Sequence, residues 1–115
     1  MGIKNFEEIV GWQKAKELTL EIYRLFKNNS DYGFRDQIQR ASVSIMNNIA
    51  EGFDRDSNAD FKRFLFIARG SCGEVRSMAY IAYELHYIQK SDFHQLLAST
   101  EEISKILRGL IKSLL

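Results

Sequence analysis

The chain of 115 residues contains no proline, one cysteine and two histidines. Because proline interrupts helices, its absence favours long helices joined by short turns. Cys72 has no second cysteine for an intrachain disulfide, and its place on an apolar helical face predicts a reduced, buried side chain. With only His86 and His94, the chain lacks the paired Glu-x-x-His motifs of a di-metal helical bundle. We therefore expect no metal site and no cofactor.

The sequence also lacks a run of about 18 apolar residues and an N-terminal signal-peptide segment. This pattern predicts a cytoplasmic protein without membrane association. The net charge is +1, so overall composition does not indicate a nucleic-acid partner. Nucleic-acid binding would instead require uneven placement of the charges, or repetition of one charged patch around an oligomer.

The segment Gly70-Ser71-Cys72-Gly73 resembles a nucleophile loop at first sight. It lacks the Gly-x-Ser-x-Gly pattern and lies within a helical period, not at a strand-to-helix turn. We therefore expect no catalytic residues and no enzymatic activity. Each glycine weakens a helix by about 1 kcal/mol relative to alanine. Two in one helix predict a steric cause, such as close packing by an aromatic ring or a neighbouring backbone.

Apolar residues recur at helical spacing in four segments, near residues 6–27, 34–53, 57–88 and 91–115. In the second, Gly52 is a candidate stop signal, and Ser57 and Ser91 are candidate N-caps of the third and fourth. The fourth segment has a seam at spacings of four and three, which suits helix-on-helix packing. Its members are Leu96, Thr100, Ile103, Leu107, Leu110 and Leu114. Short connections between long helices predict one domain over residues 1–115, an all-α, antiparallel up-down-up-down four-helix bundle.

The second helix is apolar over roughly 200° of its circumference, wider than the stripe of an ordinary bundle helix. This surplus predicts that another copy of the chain covers it. The remaining arc is a polar stripe of hydrogen-bonding residues, which has two interpretations. The stripe could bind a ligand, or Arg40 and Glu51 could pair with charges on the third helix and fix its register. The polar stripe comprises Gln37, Arg40, Ser44, Asn47 and Glu51, with Arg55 following it.

Cations recur every seven residues on one flank of the third helix, at Lys62, Arg69 and Arg76. Tyr80, Tyr83 and Tyr87 extend this flank. Cationic groups can hold phosphates, and aromatic rings can stack unpaired bases, so the flank indicates a nucleic-acid surface. Arg40 and Arg55 are candidate additional contacts. Alternatively, the cations form a solvated or inter-subunit face that pairs with acidic residues such as Glu51, Asp54 and Glu74.

Three segments carry a resemblance to a known family, namely residues 12–15, 39–52 and 61–71, with Glu74 just after the last. The most specific part is residues 48–52, followed by Arg55 and Ser57. The chain resembles the four-helix-bundle proteins first noticed as products of intervening sequences within bacterial 23S ribosomal RNA genes. The resemblance covers nearly the whole chain.

The resemblance implies an antiparallel bundle that assembles as a homopentamer. A related branch serves as the accessory protein of diversity-generating retroelements, where a basic pentamer binds nucleic acid and a reverse transcriptase. Two positions depart from the family pattern. Met46 stands where proline is usual, which predicts a second helix without a kink. Gln39 stands where a basic residue usually precedes Arg40, which lowers the positive charge of this surface.

Together these features predict a non-enzymatic oligomeric scaffold or accessory protein that associates with RNA or DNA. The resemblance also implies a protein partner such as a reverse transcriptase. The alternative is a protein–protein adaptor that binds no nucleic acid, whose polar stripe is structural.

Overall fold

The computed structural model describes residues 2–114 and contains four helices. These are α1 (Val10–Phe26), α2 (Tyr32–Phe53), α3 (Asn58–Glu84) and α4 (Lys90–Ser113). A short 3₁₀ turn, Phe6–Glu8, precedes α1. No strand occurs in the described part of the chain, so the all-α prediction is confirmed. No helix within residues 2–114 has both the length and the apolar character to span a membrane.

The helices form a square in which each packs on two neighbours, so α1 lies diagonal to α3. Neighbouring residue pairs between α2 and α3 show that the two helices run antiparallel, because residue numbers rise along one helix as they fall along the other. These pairs are Gln37 with Glu74, Ser44 with Ser71, and Gly52 with Phe61. The α3–α4 pair is antiparallel too, since Cys72 contacts Thr100 and Arg76 contacts Leu97.

The core forms where the apolar stripes of the four helices meet. Its fully buried members include Ile22 of α1, Ile45 of α2, Leu65 of α3 and Leu96 of α4. Burying such a side chain contributes about 1.5–3 kcal/mol, so this shared core is the main force that closes the bundle. The predicted α4 seam is confirmed, with five of its members buried and Leu110 half-buried.

Several helix ends differ from the sequence prediction. The first helix begins at Val10, after the extended Ile9, and not near Phe6. The third ends at Glu84, not near residue 88, because His86 adopts a left-handed φ of 60° that no helix can contain. The fourth begins at Lys90 with Gln89 as its N-cap, so the assignment of Ser91 as N-cap was wrong.

The N-terminus of α3 follows the prediction. Ser57 accepts a hydrogen bond from the Asp60 amide at 3.1 Å, which satisfies one of the free N–H groups of the first turn. The second helix likewise begins with a side-chain cap, in which Asp31 accepts from the Phe34 amide at 3.2 Å. It then continues through Met46 without interruption, as expected in the absence of proline.

Within one chain, much of the wide apolar arc of α2 is already covered. Four of its apolar residues, Ile38, Ala41, Ile45 and Ile49, are buried, while the other three, Val43, Met46 and Ala50, are half-buried. The exposed large apolar residues lie mainly on the other helices. On α1 they are Val10, Leu20 and Tyr23, and on α3 they are Phe66, Ile67, Tyr80 and Ile81. Any apolar surface available to a second copy is therefore on α1 and α3 more than on α2.

Two buried glycines allow close approach between helices. A Cβ on Gly52 would lie 2.6 Å from the Cβ of Phe64, so this glycine lets α2 and α3 meet, and it precedes the last residue of α2. A Cβ on Gly11 would lie 3.3 Å from Ile106 of α4. Gly70 and Gly73 differ, since nothing lies within 4 Å of either Cβ position. The prediction that these two pack closely is therefore wrong within the described chain, and their faces are open.

Candidate nucleic-acid interface

A groove of about 620 Å³ runs along the surface between α3 and α4. Four cationic side chains line it, two from each helix, together with Glu101, which pairs with one of them at 3.4 Å. The cations are Arg69, Arg76, Lys105 and Arg108. Gly70 and Gly73 also line this basic groove, so their missing side chains leave it open. The arrangement is a concave surface with excess positive charge.

Two hydrogen bonds fix the register of the two helices below the groove. Arg76 Nη1 donates to the carbonyl of Leu97 at 2.8 Å, and Cys72 Sγ donates to the carbonyl of Thr100 at 3.2 Å. In this antiparallel register, Lys105 comes near the level of Arg69, and Arg108 near the level of Phe66. The α4 cations therefore extend the same positive surface as the α3 cations.

Cys72, at the floor of the basic groove, is 1% exposed, which confirms the predicted buried thiol. Burial raises the pKa of the thiol to about 11, while the charges of Arg76 and Arg69 oppose this shift. Both arginines line the same groove as this thiol. A thiol that stays protonated at neutral pH is a poor nucleophile. Within residues 2–114, no three His, Cys, Asp or Glu side chains gather as metal ligands would.

The α3 cations belong to a longer stripe with spacings that alternate between four and three residues. It reads Lys62, Phe66, Arg69, Gly73, Arg76, Tyr80. Such spacing keeps all six positions on one face of the helix. The stripe is therefore a row of cations interleaved with aromatic rings. We call it the α3 stripe.

The members of the α3 stripe are available to a ligand to different extents. Lys62 and Arg69 are half-buried and form no ion pair with the residues that the structure describes. Phe66 and Tyr80 are 54% and 47% exposed. Sequence analysis identified Lys62, Arg69, Arg76 and Tyr80 but missed Phe66, although the spacing of the stripe contained the signal. Lys105 and Arg108 were missed because only the α3–α4 register reveals them.

Two of the tyrosines assigned to the nucleic-acid surface have partners inside the chain. Tyr83 stacks on the buried Phe93 with ring centroids 4.6 Å apart. Tyr87 donates a hydrogen bond to Asp31 Oδ2 at 2.6 Å and meets Phe34 edge-on. Tyr83 and Tyr87 thus close one end of the bundle.

Arg40 and Arg55 lie outside the basic groove. Arg55 pairs with Glu51 at 2.8 Å and covers the ring of Phe64. Arg40 is exposed and borders a separate hollow between α1 and α2, beside Tyr23. The structure does not bring these two arginines together with the α3 cations. Arg40 and Arg55 could contact the same ligand as those cations only if the ligand extended beyond the groove.

The polar stripe of α2 divides into two parts. Gln37 donates to Glu74 at 3.1 Å, and the hydroxyls of Ser44 and Ser71 lie 2.8 Å apart, so these two residues join α2 to α3. Asn47 is exposed, and Glu51 pairs with Arg55. Gln37 and Ser44 therefore bond to α3 within the chain, and both interpretations of the stripe stay predictions. Within residues 2–114, neither Arg40 nor Glu51 forms an ion pair with α3.

Charge is segregated across α4. On the side opposite the basic groove, a groove of about 530 Å³ between α1 and α4 has four acidic residues and a single cation, Lys14. The acidic residues are Glu17, Glu21, Asp92 and Glu102. A chain of net charge +1 thus presents a basic face and an acidic face. This is the uneven placement that nucleic-acid binding by a nearly neutral protein requires.

Comparison with known proteins agrees with the fold. The model of the family described as 23S rRNA-intervening sequence protein matches residues 7–109. A similar solved structure is the crystal structure of a protein with unknown function from the S23 ribosomal protein family of Bacteroides thetaiotaomicron. The two sequences are 28% identical, and the two structures superpose with a TM-score of 0.82. The match covers 90% of this chain and 96% of the other. No curated protein matches the sequence.

Proposed function

The chain belongs to the 23S rRNA-intervening sequence protein family, and from its surface we propose that it is a non-enzymatic, oligomeric scaffold or accessory protein that binds RNA or DNA. The basic groove is the observation that supports this proposal. Four cations converge there, and Lys62 adds a fifth at one end of the α3 stripe. Open glycine faces between them allow a ligand backbone to approach the helix.

The phosphates of the nucleic acid would provide most of the affinity. Each contact between a cation and a phosphate releases counterions, so binding weakens as salt rises. For a single strand, each contact adds about 0.7 to the slope of log affinity against log salt. Five cations on one subunit give weak binding, but an oligomer repeats the patch on every subunit and makes binding multivalent.

The exposed apolar residues of α1 and α3 support the oligomer. Leu20 is 61% exposed and Ile81 is 48% exposed, and both would be covered in an assembly. The family resemblance implies five subunits. Light scattering of the purified protein at micromolar concentration should give a mass near five chains, and a monomer there would reject the oligomer.

A charge variant tests the role of the groove. Lys62→Gln, Arg69→Gln and Arg108→Gln together remove three cations and leave Arg76 in its bond to Leu97. We expect the salt slope for an RNA or DNA single strand to fall by about 2 and the affinity at low salt to drop sharply. Fluorescence anisotropy over a salt series measures both quantities.

A matched control removes the same charge from the diagonal helix. Lys16 and Arg24 lie on α1 and Lys27 is its C-cap, all away from the basic groove. Lys16→Gln, Arg24→Gln and Lys27→Gln together should leave binding nearly unchanged. If the wild type does not bind at low salt, or the groove variant binds as well as the wild type, nucleic-acid binding is rejected. The protein–protein adaptor, which the exposed apolar residues also favour, would then be the better proposal.

A third outcome has its own meaning. If the groove variant loses its oligomeric state while the α1 control keeps it, the groove cations hold subunits together, for example against the acidic groove of a second copy. Co-purification with a partner such as a reverse transcriptase is a separate prediction, which tests the accessory role and not the groove.

A further inference from the structure

The α3 stripe places an exposed aromatic ring on each side of its arginines. Phe66 precedes Arg69 by three residues, and Tyr80 follows Arg76 by four. The two rings are about 21 Å apart along the helix axis, with the two arginines between them. Exposed aromatic side chains interleaved with cations are typical of surfaces that bind single-stranded nucleic acid.

We propose that the α3 stripe and the basic groove form a single-strand binding surface on which Phe66 and Tyr80 each stack an unpaired base. The groove cations of α3 and α4 hold the phosphates between these two bases. The inference rests on the proposed nucleic-acid function and adds to it the class of ligand and two base-contacting residues.

The environment of Phe66 fits a stacking role. The residue is 54% exposed and lines the basic groove together with Arg69 and Gly70. Among the aromatic pairs within residues 2–114, none includes Phe66. A large apolar ring in water has an unfavourable hydration free energy, which covering by a base would remove. The open Gly70 face gives the base and its sugar room beside the ring.

Tyr80 is held in place from one side. Its ring meets the buried Phe93 edge-on, with centroids 5.1 Å apart and planes 76° apart. This contact limits the motion of the ring, while 47% of the residue stays exposed. A ring that is already oriented loses little conformational freedom when a base stacks on it.

The geometry favours a single strand over a duplex. Axes of packed helices lie only about 8–10 Å apart, so the groove between them is narrow. A duplex also has its bases already stacked and paired, and it offers this surface only phosphates and sugars. Phe66 and Tyr80 therefore contribute to binding only when bases are unpaired.

The test compares three ligands of the same length by fluorescence anisotropy. They are an oligothymidylate of about 15 nucleotides, its duplex with oligoadenylate, and an abasic strand that keeps the phosphates but has no bases. Phe66→Leu and Tyr80→Leu keep apolar bulk but remove the ring. Each should weaken binding of the oligothymidylate roughly tenfold and leave the salt slope unchanged. Neither should change binding of the abasic strand.

Tyr32→Leu is the matched control, because Tyr32 is 62% exposed but lies at the start of α2, outside the α3 stripe. It should bind all three ligands like the wild type, and Phe66→Trp should bind the oligothymidylate at least as tightly as the wild type. The inference is rejected if the duplex or the abasic strand binds the wild type as tightly as the oligothymidylate. It is also rejected if both leucine variants bind like the wild type, or if they lose the oligomer. Those results would leave the proposed function standing, whereas loss of all binding by the wild type would reject both.

Discussion

Replacing Gly52 by alanine would place a methyl carbon 2.6 Å from the Cβ of Phe64 and 3.0 Å from Cδ1 of Phe61. Carbon atoms pack best at about 3.5–4.0 Å, so both contacts are too short. Phe64 Cβ is attached directly to the backbone and cannot rotate away, so α2 and α3 must separate. Overpacking of this kind costs about 1–3 kcal/mol, against a gain of about 0.5–1 kcal/mol from replacing a helical glycine.

The midpoints of these two ranges give a net loss of about 1 kcal/mol. For a chain of this length, the unfolding entropy makes that a fall of roughly 4 °C in melting temperature. Circular dichroism during heating measures the shift, with all proteins at one concentration because the stability of an oligomer depends on it.

Gly109→Ala serves as the matched control. Gly109 is exposed on α4, and nothing lies within 4 Å of its Cβ position. Alanine there should stabilise the protein by about 0.5–1 kcal/mol, so its melting temperature should rise. If Gly52→Ala melts at or above the wild-type temperature, the close approach of α2 and α3 is not the reason for the glycine.

Three further predictions follow from burial and hydrogen bonding. Ile45→Asp should prevent folding because Ile45 is fully buried. Glu17 is exposed, so Glu17→Ala should change stability by less than about 0.5 kcal/mol. Equal melting curves for the two variants would contradict the assigned helix faces. Cys72 should react with iodoacetamide only in denaturant, since burial raises the pKa of its thiol, and rapid labelling of the native protein would show an open groove floor. The hydrogen bond from Tyr87 lowers the pKa of Asp31. This bond therefore stabilises the folded protein fully above the ordinary Asp pKa, and the stabilisation is lost as pH falls through the lowered pKa of Asp31. The difference in urea midpoint between the wild type and Tyr87→Phe should therefore shrink from pH 7 toward strongly acidic pH, and a constant difference would refute this linkage.

Periodicity predicted the helices because apolar spacing reports which face meets the core. The α4 seam was confirmed for that reason, and Ser57 was correctly assigned as a cap because a free first turn needs an acceptor. The end of α3 was placed too late, since the apolar pattern continues to Ile88, which is buried outside the helix. A left-handed residue such as His86 gives only a weak signal in the sequence, because histidine is merely enriched in this conformation and adopts others far more often.

The candidate site was predictable only in part. The helical periodicity of α3 was enough to place Lys62, Arg69 and Arg76 on one face of that helix. Finding the α4 cations of the groove required the register between the two helices. Pattern analysis could not show that the Tyr83 ring was already stacked inside the chain. Gly52 shows the same limit, because glycine is common both at the ends of helices and where two helices approach closely, and the sequence does not tell the two roles apart.

The two bonds that set the α3–α4 register place unequal evolutionary constraints on the two helices. Both donors are side chains of α3, Cys72 and Arg76, while both acceptors are main-chain carbonyls of α4. A mutation at Leu97 or Thr100 leaves its carbonyl in place, whereas a mutation at a donor can delete the bond. Sequence drift at Leu97 is therefore limited by packing alone, whereas at Thr100 the hydroxyl adds a bond to the carbonyl of Leu96 at 2.8 Å. Relatives of this protein can diverge along α4 without losing the alignment of the two helices, provided that the α3 donors persist.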